Sequence, residues 1–172
     1  MHWTPVDVAL RAAALLAPGH CARVLDVGSG VGKVCLIGAA TTSATWFGIE
    51  QDADMVGAAN TAAGQMRIER RARFIHGDLD AVDWTTFDAF YLFNPFAEIL
   101  HASAGDALTR RERYVASIDF VQRRLADTAP GTRVVTYHGF GGEMPLGFDL
   151  IHREAAREDE LQLWIKRTAA PY

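Results

Sequence analysis

The segment Asp26-Val27-Gly28-Ser29-Gly30-Val31-Gly32 concentrates residue types that can hold a ligand. Glycine has no Cβ, so alternate glycines let the backbone turn sharply and approach a bound molecule closely. The carboxylate of Asp26, two residues before the first glycine, can balance a positive charge. Two nucleotide-binding patterns fail here. A phosphate-binding loop needs Gly, four residues, then Gly-Lys-Ser/Thr. In this chain Val34 follows Gly32-Lys33, and Val27 stands five positions before Gly32. A dinucleotide fingerprint needs a small sixth residue where helix and strand touch, and that position is Lys33. A strand-to-helix turn without a ligand is the plainer alternative. Three glycines plus the acid speak against it.

Further candidates recur at what read as strand ends. Glu50 stands 22 residues after Gly28, followed by Gln51 on the same edge. Asp78 and Leu79 follow His76-Gly77, where Asp78 is either a ligand acid or a turn residue. Leu92-Phe93-Asn94-Pro95-Phe96 offers an amide that can accept a hydrogen bond from a nucleophile, flanked by two aromatic rings. The alternative for Asn94 is a helix cap before a first-turn proline. His138, in Tyr137-His138-Gly139-Phe140, is either a base near neutral pH or a loop histidine. His76 and His101 have less support. No Ser/His/Asp set and no metal-ligand spacing stands out.

The elements that must position these residues alternate. Pro5–Ala17 reads as a helix, with Thr4 as its cap and Pro18-Gly19 as its stop. Strands follow at Ala22–Val27, Thr45–Glu50, Ala72–His76, Ala89–Phe93 and Thr132–Tyr137. Between them lie a helix carrying Val31, Val34, Cys35 and Gly38 at helical spacing, one over Asp52–Met66, and one over Ala107–Ala126. Phe148–Ile151 and Leu161–Ile165 read as two closing strands separated by the charged stretch 153–160. Alternation implies right-handed crossovers and a three-layer α/β/α, mostly parallel sheet. The last two strands are too close for a crossover, so they form an antiparallel hairpin at one edge. In such sheets ligands sit at the carboxyl ends of the strands, at the switch of strand order.

The loop from Asp26 to Gly32 resembles motif I of the class I S-adenosylmethionine-dependent methyltransferases. The resemblance covers Thr4 to Ile165 and implies a seven-stranded Rossmann-like sheet, S-adenosylmethionine as cofactor, and methyl transfer to an acceptor, possibly a nitrogen of a protein, nucleic acid or small molecule. It implies that Asp26, Gly28, Ser29, Gly30 and Gly32 hold the methionine end and that Glu50 and Gln51 meet the ribose. Asp78 and Leu79 would meet the adenine. Asn94, Pro95 and Phe96 would form the catalytic segment, with Asn94 also touching the cofactor. Amino-group methyltransferases of this class carry Asn-Pro-Pro-aromatic at that place; this chain has one proline there. The Gly-Ser-Gly-Val-Gly loop with an Asn-aromatic segment is also similar to non-SET histone-lysine methyltransferases. A cofactor-holding module without transfer activity, acting as partner or sensor, is the rival reading, with a nicotinamide-dependent oxidoreductase behind it.

Composition bounds the rest. The chain has 172 residues, which predicts one domain over 1–172. Lys plus Arg is 17 and Asp plus Glu is 21, giving a net charge of −4. That balance favours a protein or small-molecule acceptor over nucleic acid. Arg67, Arg70, Arg71 and Arg73 fall at the amino ends of the strands, away from a ligand. Arg110, Arg111 and Arg113 open a helix on the ligand edge, as a solvated face or as contacts for an anionic acceptor. Two lone cysteines suit a reducing compartment, no signal segment is visible, and apolar runs fall short of the ~18–20 residues of a membrane span. The expectation is a soluble cytoplasmic protein, with acceptor choice made by residues 1–4, 94–106 and 138–147 or by a partner subunit.

Overall fold

The computed structural model describes residues 3–17, 19, 22–96, 99–100 and 106–168. Helix α1 spans Val6–Leu16, one residue inside the expected start. Thr4 does not cap it. Its Oγ1 instead pairs with the hydroxyl of buried Tyr91 at 3.0 Å, a contact 87 residues away that local sequence gives no sign of. Strand β1 (Arg23–Val27) leads through the glycine loop into α2 (Lys33–Thr41). Strand β2 (Thr45–Glu50) is followed by α3 (Ala53–Gln65), whose first turn is satisfied by the Asp52 carboxylate accepting from the N–H groups of Asp54 and Met55. Such a cap stabilises a helix by about 1 kcal/mol. Next come β3 (Ala72–His76), two short 3₁₀ turns, and β4 (Ala89–Leu92). Helix α4 (Ala107–Ala126) is capped in the same way by Asp106. Strands β5 (Arg133–Tyr137), β6 (Phe148–Ala156) and β7 (Asp159–Lys166) complete the chain.

The seven strands form one sheet in the order β3-β2-β1-β4-β5-β7-β6. The first five are parallel and β7 is antiparallel to both neighbours. The order reverses between β1 and β4, so the crevice predicted to hold a ligand opens above the ends of those two strands. The closing hairpin is longer than its apolar runs suggested. Residues 153–156 pair with 159–162, and only Arg157 and Glu158 turn the chain. The charges mislead because β6 is the outer edge strand: one face is solvated, and Arg153 and Glu160 meet across the pair at 3.4 Å.

Two apolar layers hold the sheet. One face packs α1, α2 and α3 against Trp46, Tyr91 and Tyr137. The other packs α4 against Trp84, Phe90, Phe140 and Phe148, with Trp84 stacked on Phe90 at 5.0 Å. Truncating either of those rings costs about 3–5 kcal/mol. No helix of the described residues is long and apolar enough to cross a membrane.

Candidate functional site

The glycine loop is built by backbone conformation. Gly28, Gly30 and Gly32 have φ of 74°, 53° and 79°, the left-handed region that side chains disfavour. The loop is strapped to the end of β2: the N–H groups of Gly28 and Ser29 both donate to the Ile49 carbonyl, at 3.0 and 3.1 Å. The Gly30 N–H donates to Glu50 Oε2 at 2.9 Å, and the second oxygen of Glu50 accepts from the Asp52 N–H. Ser29 turns its hydroxyl beneath the loop toward Gly48, where a Cβ would lie 2.4 Å away. That Oγ is buried with no hydrogen-bond partner among the described residues.

Asp26 is buried at the end of β1. Burial pushes its carboxyl up to about 7, the Glu50 charge adds to the rise, and the thiol of Cys35 moderates it by donating at 3.6 Å. Burial also drives the Cys35 thiol upward. No lysine or arginine pairs with Asp26 among the described residues. Lys33, whose bulk argued against a dinucleotide site, reaches instead to the Thr4 carbonyl at 3.1 Å, over the Trp3 ring.

The end of β3 completes this side. Gly77 N–H donates to the Glu50 carbonyl at 3.0 Å, which brings the start of the Asp78 turn to the end of β2. Asp78 is exposed, starts a 3₁₀ turn, and its carboxylate caps no N–H of that turn. Leu79 is half-buried against the α4-side core, and its carbonyl accepts from Trp84 Nε1. Gln51 is exposed, with its carbonyl 3.1 Å from His76 Nε2.

The second side lies over β4 and β5. Asn94 has a φ of 36° and caps no helix; its N–H donates to the Gly139 carbonyl at 2.8 Å, and its side-chain amide has no partner among the described residues. Pro95 closes against the glycine loop: a Cβ on Gly28 would sit 3.2 Å from Pro95 Cβ. Phe93 is half-buried and stacks on Tyr137 at 5.3 Å. Phe96, expected beside a ligand, is only 5% exposed and belongs to the α4-side core. It is buried among residues distant in sequence, which no local pattern reports. His138 also has a left-handed backbone, φ 56°, with Nδ1 2.5 Å from Asp159 Oδ2.

The arginines at the amino ends of the strands make structural contacts. Arg71 donates to the Thr42 carbonyl, Arg73 to the Arg70 carbonyl, and Arg23 covers the rings of Phe47 and Phe87. Arg110 and Arg111 instead line an open depression of about 480 Å³ with Leu100 and Tyr114. Arg113 is exposed. His101 lies outside the described residues.

Residues 24–117 match a family model described as a methyltransferase domain. The chain belongs to that methyltransferase family. No curated protein matches it. Among solved structures, this methyltransferase is similar to an RNA methyltransferase from Salinibacter ruber crystallised with S-adenosylhomocysteine, at 22% identity and a TM-score of 0.63, over 99% of this chain and 97% of that one. It also resembles TrmN from Thermus thermophilus, at 22% identity and a TM-score of 0.64, covering 94% of this chain but 48% of the other. A third likeness is a SAM-dependent O-methyltransferase from Thermotoga maritima, at 15% identity and a TM-score of 0.67, over 100% and 69%. These likenesses show a shared fold.

The family's methyl donor is S-adenosylmethionine, and the methyltransferase's own residues fit it. A buried carboxylate without a protein cation suits a ligand that carries positive charge. The open side of Gly30, where a Cβ would meet only Met55 Sδ at 3.9 Å, leaves the backbone accessible. Glu50 and Asp78 present carboxylates along the same edge. The contact of Asp159 with His138 is one that sequence reasoning missed. Asp159 lies 21 positions after His138, and an acid-rich turn following a histidine at a strand end was the only signal available.

Proposed function

We propose that this methyltransferase moves a methyl group to a nitrogen of a protein or small-molecule acceptor presented above β4 and β5. The observation that carries this reading is the contact of Pro95 with Gly28. It supports the reading because the segment that carries Asn94 then runs directly against the glycine loop. S-adenosylmethionine supplies an activated methyl when bound. Asp26 and Glu50 bind and orient it, and Asn94 accepts an N–H from the acceptor so that its lone pair is aimed. Rate then comes mainly from orientation and exclusion of water. The net charge of −4 and the structural use of Arg23, Arg71 and Arg73 favour a protein or small molecule over nucleic acid.

Titration calorimetry with S-adenosylhomocysteine tests the cofactor site. The wild-type chain binds it, and Glu50→Gln weakens binding roughly 10–100-fold, the range for a hydrogen bond to a charged group. No binding by the wild type overturns the proposal. Release of S-adenosylhomocysteine against amines, peptides and tRNA then sorts the acceptor. Binding without transfer to any of them points to the silent module. A methyl found on oxygen overturns the nitrogen assignment, and tRNA as the sole acceptor overturns the acceptor class.

A further inference from the structure

We infer that His138 and Asp159 form a proton-accepting pair on the acceptor side of this site. In that pair His138 Nε2 takes the proton that the acceptor sheds, and Asp159 holds the ring. The inference rests on the methyl-transfer reading above. It begins with topology. The parallel strands end at the ligand edge, whereas β7 runs the other way, so its first residue arrives there. Pairing of Tyr137 with Leu161 sets Asp159 beside the residues that follow β5.

The ring of His138 is fixed from three sides. Tyr137 lies 4.4 Å away and Phe93 5.5 Å away, between ring centroids, and Asp159 Oδ2 is 2.5 Å from Nδ1. The carboxylate is itself anchored, because Oδ1 accepts the Glu160 N–H at 2.6 Å. A carboxylate only accepts, so in the neutral imidazole the ring proton sits on Nδ1 and the lone pair on Nε2. Among the described residues Nε2 has no partner, and the side chain is 32% exposed. The backbone of His138 sits in the left-handed region, which side-chain-bearing residues rarely adopt and which gathers at functional sites. Its neighbour Gly139 receives the Asn94 N–H, which couples the pair to the segment that aims the acceptor.

In the proposed step the acceptor's N–H bond breaks and its proton passes to Nε2. The nitrogen's electron pair forms the bond to the methyl carbon, and the pair of the broken carbon–sulfur bond stays on sulfur. The imidazolium faces the Asp159 carboxylate and returns its proton to solvent. His138 is the catalytic residue and Asp159 a positioning residue.

Long-range ¹H–¹⁵N NMR of the ring nitrogens on the full chain is the first test. The Nδ1–H tautomer is expected in the wild type and is lost in Asp159→Asn; Asp159→Glu, which keeps the charge, retains it. An Nε2–H tautomer in the wild type overturns the pair. Transfer of tritiated methyl to pooled polyamines, histones and tRNA is the second. His138→Ala lowers transfer roughly 100-fold at saturating cofactor, added imidazole restores part of it, and S-adenosylhomocysteine affinity by calorimetry stays within about twofold. A fall of less than about threefold overturns the pair. Failure of the wild type to bind S-adenosylhomocysteine instead overturns methyl transfer itself. If the wild type binds but labels no pool, the silent module stands and the proton-accepting role falls with methyl transfer.

Discussion

The two sides of the ligand edge are made in different ways. Over β1, β2 and β3 the site consists of backbone: three left-handed glycines, N–H groups aimed at Glu50 and Ile49, and acids two residues before or at strand ends. Its parts lie within 53 residues, from Asp26 to Asp78. Over β4, β5 and β7 the site consists of side chains that meet only in three dimensions: Thr4 with Tyr91, Phe93 with Tyr137, His138 with Asp159. A cofactor common to a family calls for one fixed backbone cradle. On the proposed function an acceptor meets the side chains of the second side, which can change without disturbing that cradle.

The largest expected effect breaks the first side. In Gly32→Ala the new Cβ lies 2.4 Å from the Phe74 ring and 3.0 Å from Ala59 Cβ, on a backbone with φ 79°. Overpacking plus strain costs about 3 kcal/mol, which lowers Tm by about 6–12 °C in scanning calorimetry and removes S-adenosylhomocysteine binding. An unchanged Tm would show that the cradle is not set by backbone conformation.

Asp26→Asn separates binding from stability on the same side. Burial raises the Asp26 carboxyl from 3.8 to about 7, so the folded state holds its proton longer than the unfolded chain. Stability therefore falls as pH climbs from 4 through 7, and levels off above. The amide escapes this loss. With relaxation around the group the loss is about 1–2 kcal/mol, so the variant's Tm exceeds the wild type's by about 2–8 °C at pH 8. The two converge near pH 4, while cofactor affinity falls at pH 8. A Tm difference that stays constant with pH would contradict the assignment.

The smallest effect falls on the second side. Thr4→Val leaves the Tyr91 hydroxyl buried without its partner, at a cost of about 1 kcal/mol and a Tm lower by about 2–4 °C. S-adenosylhomocysteine affinity should move less than about twofold. A large loss would mean that the N-terminal segment, which also receives Lys33, belongs to the cradle.

The glycine spacing, Asp26 and the alternation of strands with helices were legible because each is a local signal. Asp52 and Asp106 cap their helices through N–H groups two or three residues on, which is also local. What escaped was set by distant partners. Thr4 reads as a cap and serves Tyr91. The stretch 153–160 reads as a charged separator and pairs as strand. Phe96 reads as a ligand aromatic and is packed into the core.

By itself, then, the sequence determined the order of elements, the parallel sheet with its antiparallel end, and the ribbon of residues from Asp26 to Asp78 that turns at its own glycines. Those follow from φ preferences and apolar periodicity, which act over a few residues. Only the tertiary structure decided that Pro95 closes on Gly28, that Lys33 turns to the N-terminal segment, and that an antiparallel β7 delivers Asp159 to His138. Strand order and direction fix those meetings, and they become visible only when the whole sheet is assembled.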